Sequence, residues 1–214
     1  MGVARKEDEM TKEEKKAVAA LKKELSKICR ETVKPYKYKV IDGTPWTVQN
    51  GMLFDLLPYI VTPLQEDKAY LSISCGAKPM FVDDILWEIL GMEENKTEPA
   101  SLRVNGAFSL ATVKFREQRY ALDALSREEI QDYLEQELQR FSTFLASVAG
   151  DELSWFLRME AEKEDYYQAE VMRPILMLYE GKNEDALNYI AEHNVRTFIV
   201  SGKTVGELIA ERCL

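Results

Sequence analysis

Apolar residues recur at three- and four-residue intervals from Val18 through Leu21, Leu25 and Ile28 to Thr32, the spacing of one helix face. Thr11-Lys-Glu-Glu14 precedes that stripe as a capping box: the Thr hydroxyl meets an orphan amide and the Glu reaches back to the cap. Pro35 predicts the helix end. The period then falls to two. Tyr36, Tyr38 and Val40 alternate with Lys37, Lys39 and Ile41, which predicts a half-buried strand, and Asp42-Gly43 predicts the tight turn after it. Trp46 to Gln49 reads as the return strand, with Asn50-Gly51 as the next turn. Met52 to Val61 is apolar enough for a central strand, although Pro58 lacks a ladder donor and predicts a bulge or an edge. Tyr70 to Cys75 alternates again as a further strand.

Lys78-Pro79 opens a short helix, Phe81 to Leu90, ended by Gly91; its expected apolar face is Phe81, Ile85, Leu86 and Ile89, with Trp87 partly covered. Glu93 to Ser101 reads as a polar loop, and Ala107 to Leu122 as a long last strand with Val113 and Phe115 on one face. From there the helical period returns. Ser126-Arg-Glu-Glu129 is a second capping box, and behind it Ile130, Leu134, Leu138, Phe141, Leu145 and Val148 form one core stripe. Gly150 and Asp151 break that helix; Leu153, Phe156, Leu157 and Met159 belong to the next. Val171 to Tyr179 is an apolar helical segment with Pro174 placed near a first turn or at a kink; Gly181 ends it and Asn183 caps Glu184 to His193. Thr204-Val-Gly-Glu207 is a third box, starting a terminal helix with Val205, Leu208 and Ile209 inward. The sum is an α+β fold: an N-terminal helix with an antiparallel sheet of four to five strands, followed by a C-terminal antiparallel helical bundle. The expected organisation is an α+β layer over 1–125 and an acidic all-helical part over 126–214, as one body or two.

Charge sharpens this picture. The 214 residues carry a net charge of −9, yet residues 1–40 are at +5 and the rest at −14. An acidic body repels phosphate backbones, so no nucleic-acid partner is expected, and a basic protein is the partner it suits. No apolar run approaches the ~20 residues that cross a bilayer, and the first ten residues lack the apolar core of a secretory signal, so no membrane partner is expected. Three cysteines without paired spacing suit reduced thiols and a cytoplasmic location.

Candidate chemistry is sparse. His193 is the single histidine, set at a helix end where it meets the last carbonyls. Ser201-Gly-Lys-Thr204 looks like part of a phosphate loop but lacks the glycine four residues before the Gly-Lys pair, and reads as helix capping. No nucleophile-elbow pattern is present. Asp83, Asp84 and Glu88 are the best carboxylate cluster; Asp84 and Glu88, four apart, share a helix face and could share a divalent cation, while Asp83 and Asp84 also suit the positive end of the helix dipole. Glu160, Glu162, Glu164 and Asp165, with Lys163 among them, read as an exposed face. No cofactor and no catalytic residue is assigned. Trp46, Trp87, Tyr166 and Tyr167 are the candidate partner-binding aromatics.

Lys34-Pro-Tyr-Lys-Tyr-Lys39, Trp46, Ala77-Lys-Pro79, Asp83-Asp-Ile-Leu-Trp87, Pro99-Ala-Ser-Leu-Arg103 and Gly106-Ala-Phe108 together resemble an uncharacterised bacterial family of the domain-of-unknown-function kind, over residues 34–108. The resemblance implies an α+β domain without an assigned reaction, and relatives of this type near toxin–immunity gene clusters imply an inhibitor role. The resulting expectation is a non-catalytic protein-binding module, of the immunity-type inhibitor class. The alternatives are a metal-dependent enzyme using Asp83, Asp84 and Glu88, and a structural module that forms a homodimer.

Overall fold

Thr11 starts the first helix as its sequence requires: the hydroxyl accepts from the Glu14 amide at 3.2 Å and the Glu14 carboxylate accepts from the Thr11 amide at 2.6 Å. The computed structural model describes residues 11–62, 68–193 and 195–213. Its elements are α1 (Lys12–Thr32), β1 (Lys39–Ile41), β2 (Thr44–Gln49), β3 (Met52–Val61), β4 (Tyr70–Pro79), α2 (Met80–Leu90), α3 (Leu102–Asn105) and β5 (Val113–Ala121). There follow α4 (Arg127–Ser147), α5 (Glu152–Ala161), α6 (Ala169–Tyr179), α7 (Asn183–His193), β6 (Ile199–Val200), β7 (Lys203–Thr204) and α8 (Val205–Cys213). The fold is therefore α+β: an N-terminal helix, a five-stranded antiparallel sheet, then several helices.

Strands β1 to β5 lie in chain order. Asp42 and Gly43, both at positive φ, form the two-residue turn that pairs Ile41 with Thr44. Asn50 and Gly51 make the same kind of turn into β3. A test separates the two glycines. A Cβ on Gly43 would stand 3.1 Å from the Ser26 Cα, whereas one on Gly51 meets nothing within 4 Å. Gly43→Ala should cost about 1–2 kcal/mol and Gly51→Ala about 1 kcal/mol or less, read from urea unfolding midpoints. Equal losses would show that backbone strain alone, without the clash against α1, sets the cost.

Four readings change. The last strand of the sheet begins at Val113, not at Ala107. Tyr36 closes a 3₁₀ turn, Lys34–Tyr36, and Lys37 adopts a left-handed conformation, so the first strand begins only at Lys39. Pro58 lies within β3, a central strand, not on an edge. β2 has six residues and β3 has ten, so β3 outruns β2 beyond their shared turn, and the missing N–H falls where that neighbour has ended. The stretch 198–204 holds a small hairpin, with Ser201 and Gly202 as its turn, before Thr204 caps α8 together with Glu207.

The chain forms two compact units, and their division does not follow the break expected near residue 125. One unit comprises Met1–Thr47, described from Thr11, with Phe54–Gly76 and Lys114–Asp151. In it α4 buries Ile130, Leu134, Leu138, Phe141 and Leu145, the predicted stripe, each side chain contributing about 1.5–3 kcal/mol. Phe144 packs against Phe54 at 6.3 Å and Phe115 at 4.6 Å, which sets α4 on the sheet face that carries Phe54. Ser126 caps α4 through the Glu129 amide, but the Glu129 carboxylate reaches Asp123 and Ala124 amides instead of closing the box.

The other unit comprises Val48–Leu53, Ala77–Val113 and Glu152–Leu214. Its α2 turns a different face inward from the one predicted: Val82, Asp83, Leu86, Trp87 and Leu90 are buried. Pro174 sits inside α6, past its first turn. The Glu152 carboxylate, buried at the start of α5, accepts from the Gln49 and Asn50 side-chain amides at 2.7 and 2.8 Å, fastening the β2–β3 turn.

Candidate protein-binding face

The carboxylates singled out in α2 do not converge. Asp83 is fully buried with Lys78, whose ammonium lies 2.8 Å from Oδ2. The Leu110 amide donates to Asp83 Oδ1 at 2.8 Å, and Lys78 donates to the Leu110 carbonyl, so the pair clamps the segment before β5 onto the end of β4. Burial pushes the Asp83 carboxyl above its usual range, while Lys78, the Leu110 amide and Arg103 pull it back. Asp84 points instead to Arg103, at 2.6 Å, and Arg103 also donates to the Met80 carbonyl and lies over Trp87. Glu88 is taken by Lys96 and, at 2.6 Å, by Arg212, which hold its carboxyl below the usual range. Carboxylates already committed to Lys78, to Arg103, and to Lys96 with Arg212 do not form a shared ligand set. Among the described residues no group of three or more His, Cys, Asp or Glu is placed to hold a metal ion.

An open cleft of about 580 Å³ flanks Glu88, lined also by Ile89, Glu93, Lys96, Leu208 and Arg212. Its cations are those already paired with Glu88. Burial pushes the Cys29 and Cys75 thiols up to about 12 and raises the Cys213 thiol as well, which disfavours the thiolate at each. His193 stacks on Tyr189 with Nδ1 2.9 Å from the Tyr189 carbonyl, the helix-end position expected of it.

The aromatic candidates divide. Trp46 is 3% exposed beneath the Lys39 ammonium, and Trp87 is 1% exposed with its indole N–H on the Phe108 carbonyl at 2.6 Å. Neither ring can be a partner's anchor, because each is already desolvated within the chain. Tyr166 is half-buried; its hydroxyl donates to Glu160 at 2.8 Å and is pushed up by burial and then by that carboxylate. Glu160 itself is buried, taking Arg173 at 3.1 Å, which corrects its reading as part of an exposed face. Tyr167 stands 78% exposed.

A different surface collects exposed anchors. In β3 the even positions Phe54, Leu56 and Ile60 are buried on the α4 side, and the alternation of a strand turns Leu57 and Tyr59 to the opposite face. There they are 45% and 37% exposed. Tyr59 donates to Glu117 at 3.3 Å and Ser72 does so at 2.9 Å, which brings β4 and β5 side chains onto the same face. Arg119 pairs with Glu117 at 3.0 Å and lies over the Tyr70 ring, and Lys114 completes the set. The result is an apolar and aromatic patch around one neutralised carboxylate.

Lys114 first, then Arg119 and Ser72, hold Glu117 down at about 2. A carboxyl with a lowered folded-state pKa stabilises the fold above its unfolded value, near 4.5, and that contribution disappears as pH falls toward 2. The unfolding-midpoint difference between wild type and Glu117→Gln should be full at pH 6 and shrink between about pH 4.5 and 2. A difference independent of pH would show that Glu117 acts through shape alone.

Sequence reasoning missed this face because Met52-Leu-Phe-Asp-Leu-Leu-Pro-Tyr-Ile-Val61 is nearly all apolar, as in a strand covered on both sides. Glu117 and Arg119 on β5, two apart with Lys114 nearby, were the one local sign of a solvated face. No family model, no curated protein and no solved structure matches this chain.

Proposed function

We propose that this protein is a non-catalytic protein-binding module that engages its partner through the outer sheet face around Leu57 and Tyr59. The observation that carries the reading is the exposure of two large side chains, Leu57 and Tyr59, at alternating positions of a central strand, with Tyr70 on the same face. Tyr59 and Tyr70, with Arg119 between the strands, are side chains of the kind that dominate binding energy once a partner excludes water. The net charge of −9 would steer a basic partner toward the molecule, setting the encounter rate while the apolar patch sets the dissociation rate.

The resemblance over residues 34–108 supports a more specific form, an immunity-type inhibitor acting in the cytoplasm on a toxin. Among the described residues no helix is long and apolar enough to cross a membrane. The test is site-specific photocrosslinking from position 70, on the same face as Leu57 and Tyr59, in the native cell. One stoichiometric adduct is expected, and Leu57→Asp with Tyr59→Asp should abolish it while Tyr167→Ala leaves it intact. Partner capture that survives the double aspartate variant would sink the proposal.

A further inference from the structure

β5 ends the five-stranded sheet, and among the described residues no strand pairs with its outer side. The Leu122 amide donates to the Ala69 carbonyl at 2.9 Å, continuing the ladder toward the β4 side. By the alternation of an antiparallel strand, Tyr120 and Gln118 also direct their backbone groups toward β4, and Ala121, Arg119 and Glu117 direct theirs to the free edge. Charged side chains along such an edge normally repel indiscriminate strand addition. Here they select one register.

We propose that the β5 edge is where a second copy of this chain adds, antiparallel, around a two-fold axis at Gln118. Hydrogen-bonded pairs across the new seam must join residues whose backbone groups both face the edge. An axis at Glu117 would set two carboxylates opposite each other, and an axis at Arg116 or Arg119 two guanidiniums. An axis at Gln118 places Glu117 of each copy opposite Arg119 of the other, giving two opposite-charge pairs from one sequence. It also brings Arg116 of each copy opposite Tyr120 of the other, a cation–aromatic match. Repulsion in the competing registers and attraction in this one together define the dimer. The seam lies at the edge of the sheet and shares Glu117 and Arg119 with the outer face proposed for the partner, so the isolated chain's own mass reads the seam and capture through Leu57 and Tyr59 reads the face.

Sedimentation equilibrium of the full chain over a concentration series tests this. Wild type should approach twice the 24.6 kDa chain mass. Arg119→Glu and Glu117→Arg each put like charges opposite twice, and each should weaken dimerisation by about tenfold or more. An equimolar mixture of the two variants should regain the double mass, because each chain then presents the charges the other lacks. If Glu117→Arg fails to fold for want of its Tyr59 and Ser72 bonds, Gln118→Cys replaces it and should give a disulfide-linked dimer on mild oxidation. A wild-type chain that stays monomeric throughout, or an Arg119→Glu chain that dimerises unchanged, overturns the inference.

Discussion

Replacing Lys78 with methionine is expected to lower the free energy of unfolding by about 3–5 kcal/mol, because it strands the Asp83 carboxylate in a fully buried site. Both side chains are fully buried, so neither can turn outward when its partner is lost. Methionine fills the volume of the lysine stem, which keeps the loss electrostatic instead of a packing defect. The Leu110 carbonyl loses its donor at the same time, loosening the segment that Lys78 and Asp83 clamp together. The double change Lys78→Met with Asp83→Leu should recover much of the deficit, since an apolar pair of similar volume carries no desolvation cost. Acid provides a second readout. Burial already raises the Asp83 carboxyl, and losing Lys78 raises it further, so the folded variant takes up a proton before the unfolded chain does. Its stability therefore rises as pH falls through that raised value and levels off below the unfolded value near 3.8. Guanidinium unfolding of both variants between pH 4 and 8 measures this. A Lys78→Met loss below about 1 kcal/mol would mean that the pair is not the anchor of its unit.

Replacing Glu137 with leucine is expected to cost about 1–3 kcal/mol, the loss for buried polar groups left with no acceptor. Glu137, 1% exposed on α4, receives Arg116 at 2.9 Å, Arg140 at 2.6 Å and the Tyr120 hydroxyl. The cost is smaller than at Lys78 because water can replace the lost partner. The Arg116 and Arg140 side chains are one-third and one-half exposed and can turn to solvent. Tyr120 has less freedom, stacked on Tyr133 at 4.3 Å, and burial followed by Glu137 holds its hydroxyl up at about 12. Removing Glu137 should therefore bring the Tyr120 titration down toward 10, visible as an ultraviolet shift in alkali. An unmoved titration with normal stability would leave Glu137 without the role assigned to it.

The two networks show where sequence reading stops. Asp83 looked like a first-turn carboxylate attracted by the helix dipole, and Lys78 like a turn residue before Pro79. What joined them was the direction in which β4 runs into α2, which no local pattern encodes. A trace was present: Lys78, Asp83 and Asp84 are the charges that interrupt an apolar run from Cys75 to Trp87, and charges in such a run need partners. Met80-Phe-Val-Asp-Asp-Ile-Leu-Trp-Glu-Ile-Leu90 is apolar on most sides, so its inward face depended on the neighbours it met. The same ambiguity hid the outer sheet face and left Trp46 and the partly covered Trp87 among the candidate partner-binding aromatics.

By itself the sequence determined whatever depends on a few adjacent residues. That covers the caps at Thr11, Ser126 and Thr204, the Asp42-Gly43 and Asn50-Gly51 turns, the α4 stripe, and hence the α+β class. These are contests between a backbone group and a side chain one turn away, settled before distant parts of the chain meet. Tertiary structure decided which charges are buried together, which aromatic rings are covered and which sheet face and edge stay open. Each of those depends on residues tens of positions apart sharing a low-dielectric space or leaving one empty, and spacing along the chain carries no measure of that.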